Sequence, residues 1–195
     1  MIERDEAGPL RVAILSDTHG ALDFRVADVV TGCDVAVHGG DIGDIGVLGA
    51  LQPRAGRILA VCGNNDRARR RAADEPAFLC TLPEVLEVPL PGGTLVVIHG
   101  HQVPAANRHQ SLRRRFPSAR AIVYGHSHHM VVDTDASPWV LNPGAAGRVR
   151  TYGGPSCLIL TARKTRWTVD VRRFALLPRG RRGLPRPADR VALSV

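Results

Sequence analysis

The chain has 195 residues, 44% of them hydrophobic, which suits one well-buried domain and is short for two. Its formal net charge of +8 is carried entirely by residues 163–195, where nine Arg and Lys164 face only two Asp. No stretch approaches the roughly 20 apolar residues of a membrane-spanning helix, and residues 1–10 lack the basic start and apolar core of a signal peptide. We therefore expect a cytoplasmic protein that makes no contact with a membrane.

Hydrophobic runs and turn residues predict alternating strands and helices first, then mostly strands. The predicted strands are 11–15, 34–38, 57–62, 84–90 and 94–100, followed by AIVYG, MVVDTD, WVLNPG, SCLILTA and RWTVDVRRF. The predicted helices are 21–30, 45–51, a short one after Asn64 and a polar one over about 105–116. The segment PGG at 91–93 predicts a hairpin, and RWTVDVRRF alternates like an edge strand. This order indicates two sheets packed face to face with helices outside, an α/β sandwich.

The chain divides into a main body and a basic end. We expect one domain over residues 1–177 and a Pro- and Arg-rich extension over 178–195. Such a tail could bind nucleic acid, but a general bias toward Arg, Ala, Gly and Pro also explains its composition, so this partner is the less favoured reading. The cysteines form no CxxC pair and lie mostly in or beside apolar runs, which indicates reduced, structural thiols.

Seven side chains that can bind metal follow directly after five of the predicted strands. They are Asp17, His19, Asp41, Asn64, His99, His126 and His128. Ligand sites in open α/β sheets form at the carboxyl ends of strands, so residues far apart in sequence can meet there. In LSDTHG and GHSHH the two ligands are two residues apart, and an extended chain points both the same way. Carboxylate, amide and imidazole ligands without thiolate predict a dinuclear site for ions such as Mn, Fe, Zn or Ni.

The charge of this site favours an anionic substrate. Two divalent ions bring four positive charges and the two carboxylates bring two negative ones, so a hydroxide and a phosphodiester anion would neutralise the remainder. Asp41 follows two glycines that let the backbone approach an ion, and its two oxygens could bridge both ions. Two-metal centres activate water and stabilise displacement at phosphorus. The residues alone thus predict phosphoester hydrolysis.

The ordered motifs DTH, GGD, GNND, HGH and GHSHH resemble those of the calcineurin-like metallophosphoesterase family, in particular its small YfcE-like phosphodiesterase branch. The likeness runs from about Val12 to Pro143 and implies an α/β fold, a four-layer α/β/β/α sandwich of two mixed sheets. The resemblance implies that Asp41 bridges the two ions. One ion would be bound by Asp17, His19, Asp41 and His128, and the other by Asp41, Asn64, His99 and His126. The implied reaction is hydrolysis of small phosphodiesters by a metal-bridging hydroxide, with Mn preferred over Ni, Zn, Fe or Mg.

One position departs from the family pattern. Asn65 stands where larger family members carry the His of a GNHE or GNHD motif, which is thought to protonate the leaving group. Water, His101 or Asp66 could serve instead, and this departure favours diesters with better leaving groups. The catalytic candidates are Asn64, His101 and Asp66, and the substrate-binding candidates are Asn65, Arg67 and Asn142. The Arg run at 67–71 equally suits a solvated helix face.

Several polar residues are assigned to supporting roles. We expect His38 to support the ligands from behind, His109 and His129 to lie on the surface, and Asp44 to cap a helix. A scaffold of the same fold without catalysis, a phosphomonoesterase and a nuclease remain alternative functions. The complete ligand set favours catalysis on a small phosphodiester, and a homo-oligomer is left open.

Overall fold

A computed structural model describes residues 8–68 and 78–177, where it contains ten strands and five helices. The strands are β1 Leu10–Leu15, β2 Val35–His38, β3 Arg57–Ala60, β4 Val85–Leu90, β5 Gly93–Ile98, β6 Ala121–Val123, β7 Met130–Asp133, β8 Trp139–Pro143, β9 Ser156–Ala162 and β10 Trp167–Arg173. The helices are α1 Phe24–Thr31, α2 Ile45–Gly49, α3 Asn64–Ala68, α4 Phe78–Thr81 and α5 Arg108–Arg115. The predicted extension at 178–195 and the Arg residues at 69–71 lie outside the described residues.

Two helices begin later than the sequence pattern predicts, and each has a local cause. Helix α1 starts at Phe24 instead of residue 21 because the Asp23 carboxylate accepts a hydrogen bond from the backbone N–H of Arg25, which caps the helix. Helix α5 starts at Arg108 instead of residue 105 because Asn107 adopts a left-handed conformation at φ 58°. Asp44 caps α2 as predicted.

The strands form two mixed five-stranded sheets. The first has the order β10-β9-β1-β2-β3, with β1, β2 and β3 parallel and β9 antiparallel to β1. The second has the order β4-β5-β6-β8-β7, with β5, β6 and β8 parallel. The predicted hairpin is confirmed as the antiparallel pair β4–β5, and β10 is an edge strand as predicted.

Successive side chains of a strand point to opposite faces of its sheet, so the three largest clusters of buried apolar residues lie between the sheets and on the outer face of each sheet. Val12 and Ile14 of β1 meet Leu95 and Val97 of β5 in the core between the sheets. The opposite face of the first sheet packs against α1, and the outer face of the second sheet packs against α5. The predicted four-layer α/β/β/α sandwich is therefore confirmed.

The four cysteines are free, and three of them are buried. In the part of the chain that the structure describes, no helix has both the length and the apolar character needed to cross a membrane.

Candidate metal centre

All seven predicted ligands lie at one end of the sandwich, just after five strands. Three neighbouring parallel strands of the first sheet, β1, β2 and β3, lead to Asp17 and His19, to Asp41 and to Asn64. Two neighbouring parallel strands of the second sheet, β5 and β6, lead to His99 and to the pair His126 and His128. Parallel pairing places these carboxyl ends side by side within each sheet, and the packing of the sheets brings the two sets together.

The backbone around the ligands is strained in a consistent way. Seven non-glycine residues in the described segments have positive φ, and five of them are predicted ligands. These five are Asp17, His19, Asp41, His126 and His128, with φ between 48° and 64°. Each such residue costs about 1–3 kcal/mol and persists only where surrounding contacts hold it. Hydrogen bonds from Asp17 N to Gly40 O (3.0 Å) and from His19 N to Asp41 O (2.9 Å) supply such contacts.

The first group of ligand atoms consists of Asp17, His19 and His128, with Asp41 at its edge. The Nε2 atom of His128 lies 3.1 Å from Nε2 of His19 and 3.4 Å from Oδ1 of Asp17. Oδ2 of Asp41 lies 3.8 Å from His19 Nε2. Ligand atoms of Asp17, His19 and His128 all fall within 4.8 Å of one another, close enough to share an ion.

The Nε2 atoms of His19 and His128 both present a lone pair. His128 Nδ1–H donates to the Arg150 carbonyl oxygen at 3.1 Å, which leaves the lone pair on Nε2. His19 Nε2 accepts from Nη2 of Arg150 at 3.0 Å, so it too presents a lone pair. The two Nε2 atoms are 3.1 Å apart, so their lone pairs repel each other. A cation bound between them would remove that repulsion. This arrangement fits a metal ion.

The second group consists of Asp41, Asn64, His99 and His126. His99 Nε2 lies 3.4 Å from Asp41 Oδ1 and 3.1 Å from Asn64 Oδ1, which is also 3.1 Å from His126 Nδ1. His99 Nδ1–H donates to the Gly39 carbonyl at 2.8 Å, so Nε2 is the nitrogen that faces these oxygens. Asp41 thus points Oδ1 toward this group and Oδ2 toward the first.

Burial and neighbouring charges shift the pKa values of the four ligand histidines in different directions. Burial lowers the pKa of His19 and His126, and it lowers that of His128 to about 4, so all three are neutral at neutral pH. Burial would also lower the pKa of His99, but the hydrogen bond and charge of Asp41, the charge of Asp17 and the Gly39 carbonyl together raise that pKa above its usual value. The environment of His99 Nε2 therefore attracts positive charge.

The two carboxylates also differ. Burial raises the pKa of Asp17 to about 7, although the backbone N–H of His126 donates to it at 3.0 Å. Burial alone would also raise the pKa of Asp41, but the hydrogen bond and charge of His99, together with hydrogen bonds from Asn65, hold that pKa well below the usual range. Asn65 donates two hydrogen bonds to this carboxylate, from its backbone N–H at 2.9 Å and from its side-chain amide at 2.6 Å. Asn65 therefore orients the shared carboxylate.

Two sequence-based assignments are corrected by burial. Asp66 is only 1% exposed and accepts from the backbone N–H groups of Gly43 and Gly63, both at 2.9 Å. It ties two ligand loops together and is not available as a general acid. Asn142 is fully buried, donates to Gly125 O at 2.9 Å and Ser127 Oγ at 3.0 Å, and accepts from the Gly144 N–H. It braces the loop of His126 and His128 instead of contacting substrate.

The remaining candidates lie at the margin of the centre. Arg67 is half exposed and forms an ion pair with Glu84 at 2.6 Å, so its guanidinium is already engaged. His101 is half-buried beside the ligands, with its ring centroid 5.5 Å from that of His99 and 6.2 Å from that of His126. Its Nδ1 atom is buried and has no hydrogen-bond partner among the described residues.

His38 supports the loops from behind, as predicted. The Gly40 N–H donates to Nδ1 at 3.2 Å, and Thr18 Oγ1 lies 3.0 Å from Nε2. Because the Thr18 hydroxyl donates its only proton to Ile42 O, His38 must donate from Nε2 and is neutral. Complete burial, which lowers the pKa of His38 to about 3, agrees with this protonation state.

Two features of the site were not predicted from the sequence. Arg150, in the loop between β8 and β9, contacts both histidines of the first group and itself has φ 53°. No sequence motif marks this role, because Arg150 lies 22 residues after His128 in the chain. His109 is not a simple surface residue, because it bonds Asp133 at 2.8 Å and Tyr124 at 3.2 Å. His129 is exposed and stacks on Tyr152.

Comparisons with solved structures place this geometry in a known fold. A phosphodiesterase from an archaeon superposes with a TM-score of 0.60 at 22% identity, covering 83% of this chain and 99% of that one. The phosphoesterase Yfce of E. coli gives 0.56 at 21% identity, covering 77% and 88%. Vps29 from Entamoeba histolytica in complex with Zn²⁺ gives 0.63 at 19% identity, covering 85% and 98%.

The solved structures share too few identical residues with this chain to assign its family, so the family is assigned by comparison of sequences. No curated protein matches the chain significantly. Residues 10–165, most of the chain, match the model of the calcineurin-like phosphoesterase superfamily domain. Members of that superfamily bind divalent metals, and the ligand groups described above are of the kind required. The chain belongs to the calcineurin-like phosphoesterase superfamily.

Proposed function

We propose that the protein is a metal-dependent phosphodiesterase that hydrolyses small phosphodiesters at a centre of two divalent ions. The observation that carries this proposal is the convergence of seven side chains from five strand ends, with Asp41 between them: its Oδ2 lies 3.8 Å from His19 and its Oδ1 lies 3.4 Å from His99. Membership of the superfamily supports phosphoester chemistry. Likeness to structures named as a phosphoesterase and as an archaeal phosphodiesterase supports the choice of substrate bond.

The two groups would each hold one ion. Asp17, His19 and His128 would bind the first, Asn64, His99 and His126 the second, and Asp41 both. When bound, such ions lower the pKa of a water molecule and neutralise charge on the phosphate oxygens. The mixture of carboxylate, amide and imidazole ligands suits Mn best, with Ni, Zn, Fe and Mg as alternatives.

The residues of the chain itself orient and desolvate the reacting groups. Asn65 fixes Asp41 through two hydrogen bonds, so each carboxylate oxygen keeps its direction toward one ligand group. His101 borders the centre, and burial together with the nearby His99 lowers its pKa, so it is neutral at neutral pH. A neutral imidazole can orient a phosphate oxygen or water but is a poor proton donor to an alcohol. This favours diesters whose leaving groups need little protonation.

A binding role in place of catalysis is the second candidate. A structure named Vacuolar Protein Sorting 29 from Cryptosporidium parvum superposes with a TM-score of 0.63 at 17% identity, covering 86% of this chain and 99% of that one. That likeness concerns the fold. The full set of ligands at the centre favours catalysis over such a role.

The test is turnover of a synthetic diester, the matching monoester and single-stranded DNA in the presence of Mn, Ni, Zn or Mg. Asp41→Asn should lower diester turnover more than about 100-fold, because it removes the negative charge and one of the two oxygens that would bind the ions. Asp28→Asn changes an exposed carboxylate on α1 and should have no effect. If no metal gives turnover above that of Asp41→Asn on any substrate, the enzyme proposal is wrong. Faster cleavage of the monoester would refute the preference for diesters.

A further inference from the structure

A cleft of about 580 Å³ lies beside the proposed centre, between the start of α5 and the loop that carries two of the ligands. Arg108, His109 and Arg113 of α5 form one wall, and Tyr124, Ser127 and His129 form the other. Ser127 stands between the ligands His126 and His128 in the chain. The cleft and the centre therefore share a wall, and a substrate bound at one can extend into the other.

The cleft is cationic because its basic side chains, Arg108, His109 and Arg113, outnumber the carboxylate, Asp133, that pairs with two of them. Asp133 accepts from Arg113 at 2.7 Å and bonds His109 at 2.8 Å, so the charge of Arg113 is compensated. Arg108 has no carboxylate partner in the described part of the chain. Its guanidinium lies 5.5 Å from the centre of the Tyr124 ring, hydrogen-bonds the Tyr124 hydroxyl, and donates through Nη2 to Val103 O at 3.4 Å.

One donor of the cleft has no acceptor. Nε of Arg108 is buried and has no hydrogen-bond partner among residues 8–68 and 78–177. Ser127 Oγ, by contrast, accepts a hydrogen bond from the Asn142 amide at 3.0 Å and hydrogen-bonds the Tyr124 hydroxyl. A buried donor without an acceptor is unfavourable, and an anion with several oxygens would satisfy the guanidinium of Arg108.

We propose that this cleft binds a second phosphate group carried on one arm of the substrate. The inference rests on the proposed function for the reaction, and it narrows the substrate class to phosphodiesters that bear an additional phosphate. With the reacting phosphate at the metal centre, the arm runs past Ser127 and its phosphate meets the guanidinium of Arg108. The volume of about 580 Å³ falls in the range of ordinary ligand sites and accommodates an arm of nucleoside size.

The kinetic test compares a thymidine dinucleotide with the same dinucleotide carrying a terminal phosphate at its 5′ or its 3′ end. For at least one end, the terminal phosphate should lower KM about tenfold in the wild type, and Arg108→Gln should abolish that advantage. Arg114→Gln, an exposed Arg on the same helix outside the cleft, is the matched control and should retain the advantage. Equal KM values for all three substrates in the wild type would overturn the proposal.

A binding measurement separates the cleft from the reaction. In excess chelator, equilibrium dialysis of inorganic phosphate should give the same affinity for the wild type and Asp41→Asn and about tenfold weaker binding for Arg108→Gln. Circular dichroism checks that each variant is folded. If this pattern holds while no metal supports hydrolysis, the proposed function fails and the cleft remains an anion site. Unchanged phosphate binding in folded Arg108→Gln would refute the cleft assignment.

Discussion

Replacement of Gly63 by Ala should weaken Mn²⁺ binding about 100-fold or more while leaving the protein folded. Gly63 precedes α3 and packs against Asp41, the carboxylate shared by the two ligand groups. An alanine Cβ there would lie 2.9 Å from Asp41 Cα and closer still to its backbone N and to Oδ1. All three contacts are shorter than real Cβ contacts, so Asp41 or the Gly63 backbone must move by roughly 1 Å.

The size of that movement sets the size of the effect. Metal–ligand distances tolerate only about ±0.2 Å, so the displaced carboxylate can no longer reach both ions. We expect Mn²⁺ affinity to fall by about 100-fold or more. Overpacking at one site costs about 1–3 kcal/mol, and for a chain of this length each kcal/mol lowers Tm by about 2–4 °C. The variant should therefore melt several degrees lower but remain folded at 25 °C.

Isothermal titration calorimetry with Mn²⁺ measures the affinity, and circular dichroism melts measure the stability. Gly49→Ala is the matched control, because Gly49 is exposed at the end of α2 and an added Cβ would meet nothing within 4 Å. It should bind Mn²⁺ as the wild type does and be slightly more stable. If folded Gly63→Ala bound Mn²⁺ with wild-type affinity, the role given to Asp41 would be refuted.

Three further predictions concern the same centre. Because burial raises the pKa of Asp17 to about 7, a proton competes with the ion for this carboxylate below that pH. Calorimetry should show Mn²⁺ affinity falling about tenfold per pH unit from pH 7 to pH 5. An affinity that does not change with pH would contradict this. Arg150→Gln frees His19 Nε2 from a competing donor and should raise Mn²⁺ affinity about fivefold relative to Arg148→Gln, and weaker binding would disprove the competition. His38→Ala leaves a cavity and an unpaired Gly40 N–H, and urea denaturation should show a loss of about 3 kcal/mol. A loss below about 1 kcal/mol would contradict that account.

The fold and the convergence of the ligands could be predicted because their signals are local and strong. Hydrophobic runs locate the strands, and ligands that directly follow β1 and β6 must lie at the strand ends. The first residues of α1 and α5 were predicted less well. Asp23 caps α1 with its side chain, and Asn107 interrupts the chain before α5 with a left-handed backbone conformation. The spacing of apolar residues does not indicate either feature.

The roles of single polar residues could not be predicted, because they depend on which way a side chain turns in the folded protein. Asp66 follows the ligand Asn64 by two residues and Asn142 lies near the end of β8, yet both side chains turn inward and bond backbone groups. Arg150 and the pair formed by His109 and Asp133 depend on contacts across more than 20 residues of chain. A linear motif carries no information about such contacts.

The central claim is that two ions share Asp41 at the ends of five strands. The most direct measurement is anomalous X-ray scattering from crystals of the protein grown with Mn²⁺. We predict two peaks about 3.5–4 Å apart, one between His19 and His128 and one beside His99 and Asn64, with the Asp41 carboxylate between them. A single peak, or two peaks of which one lies outside these residues, would contradict the account.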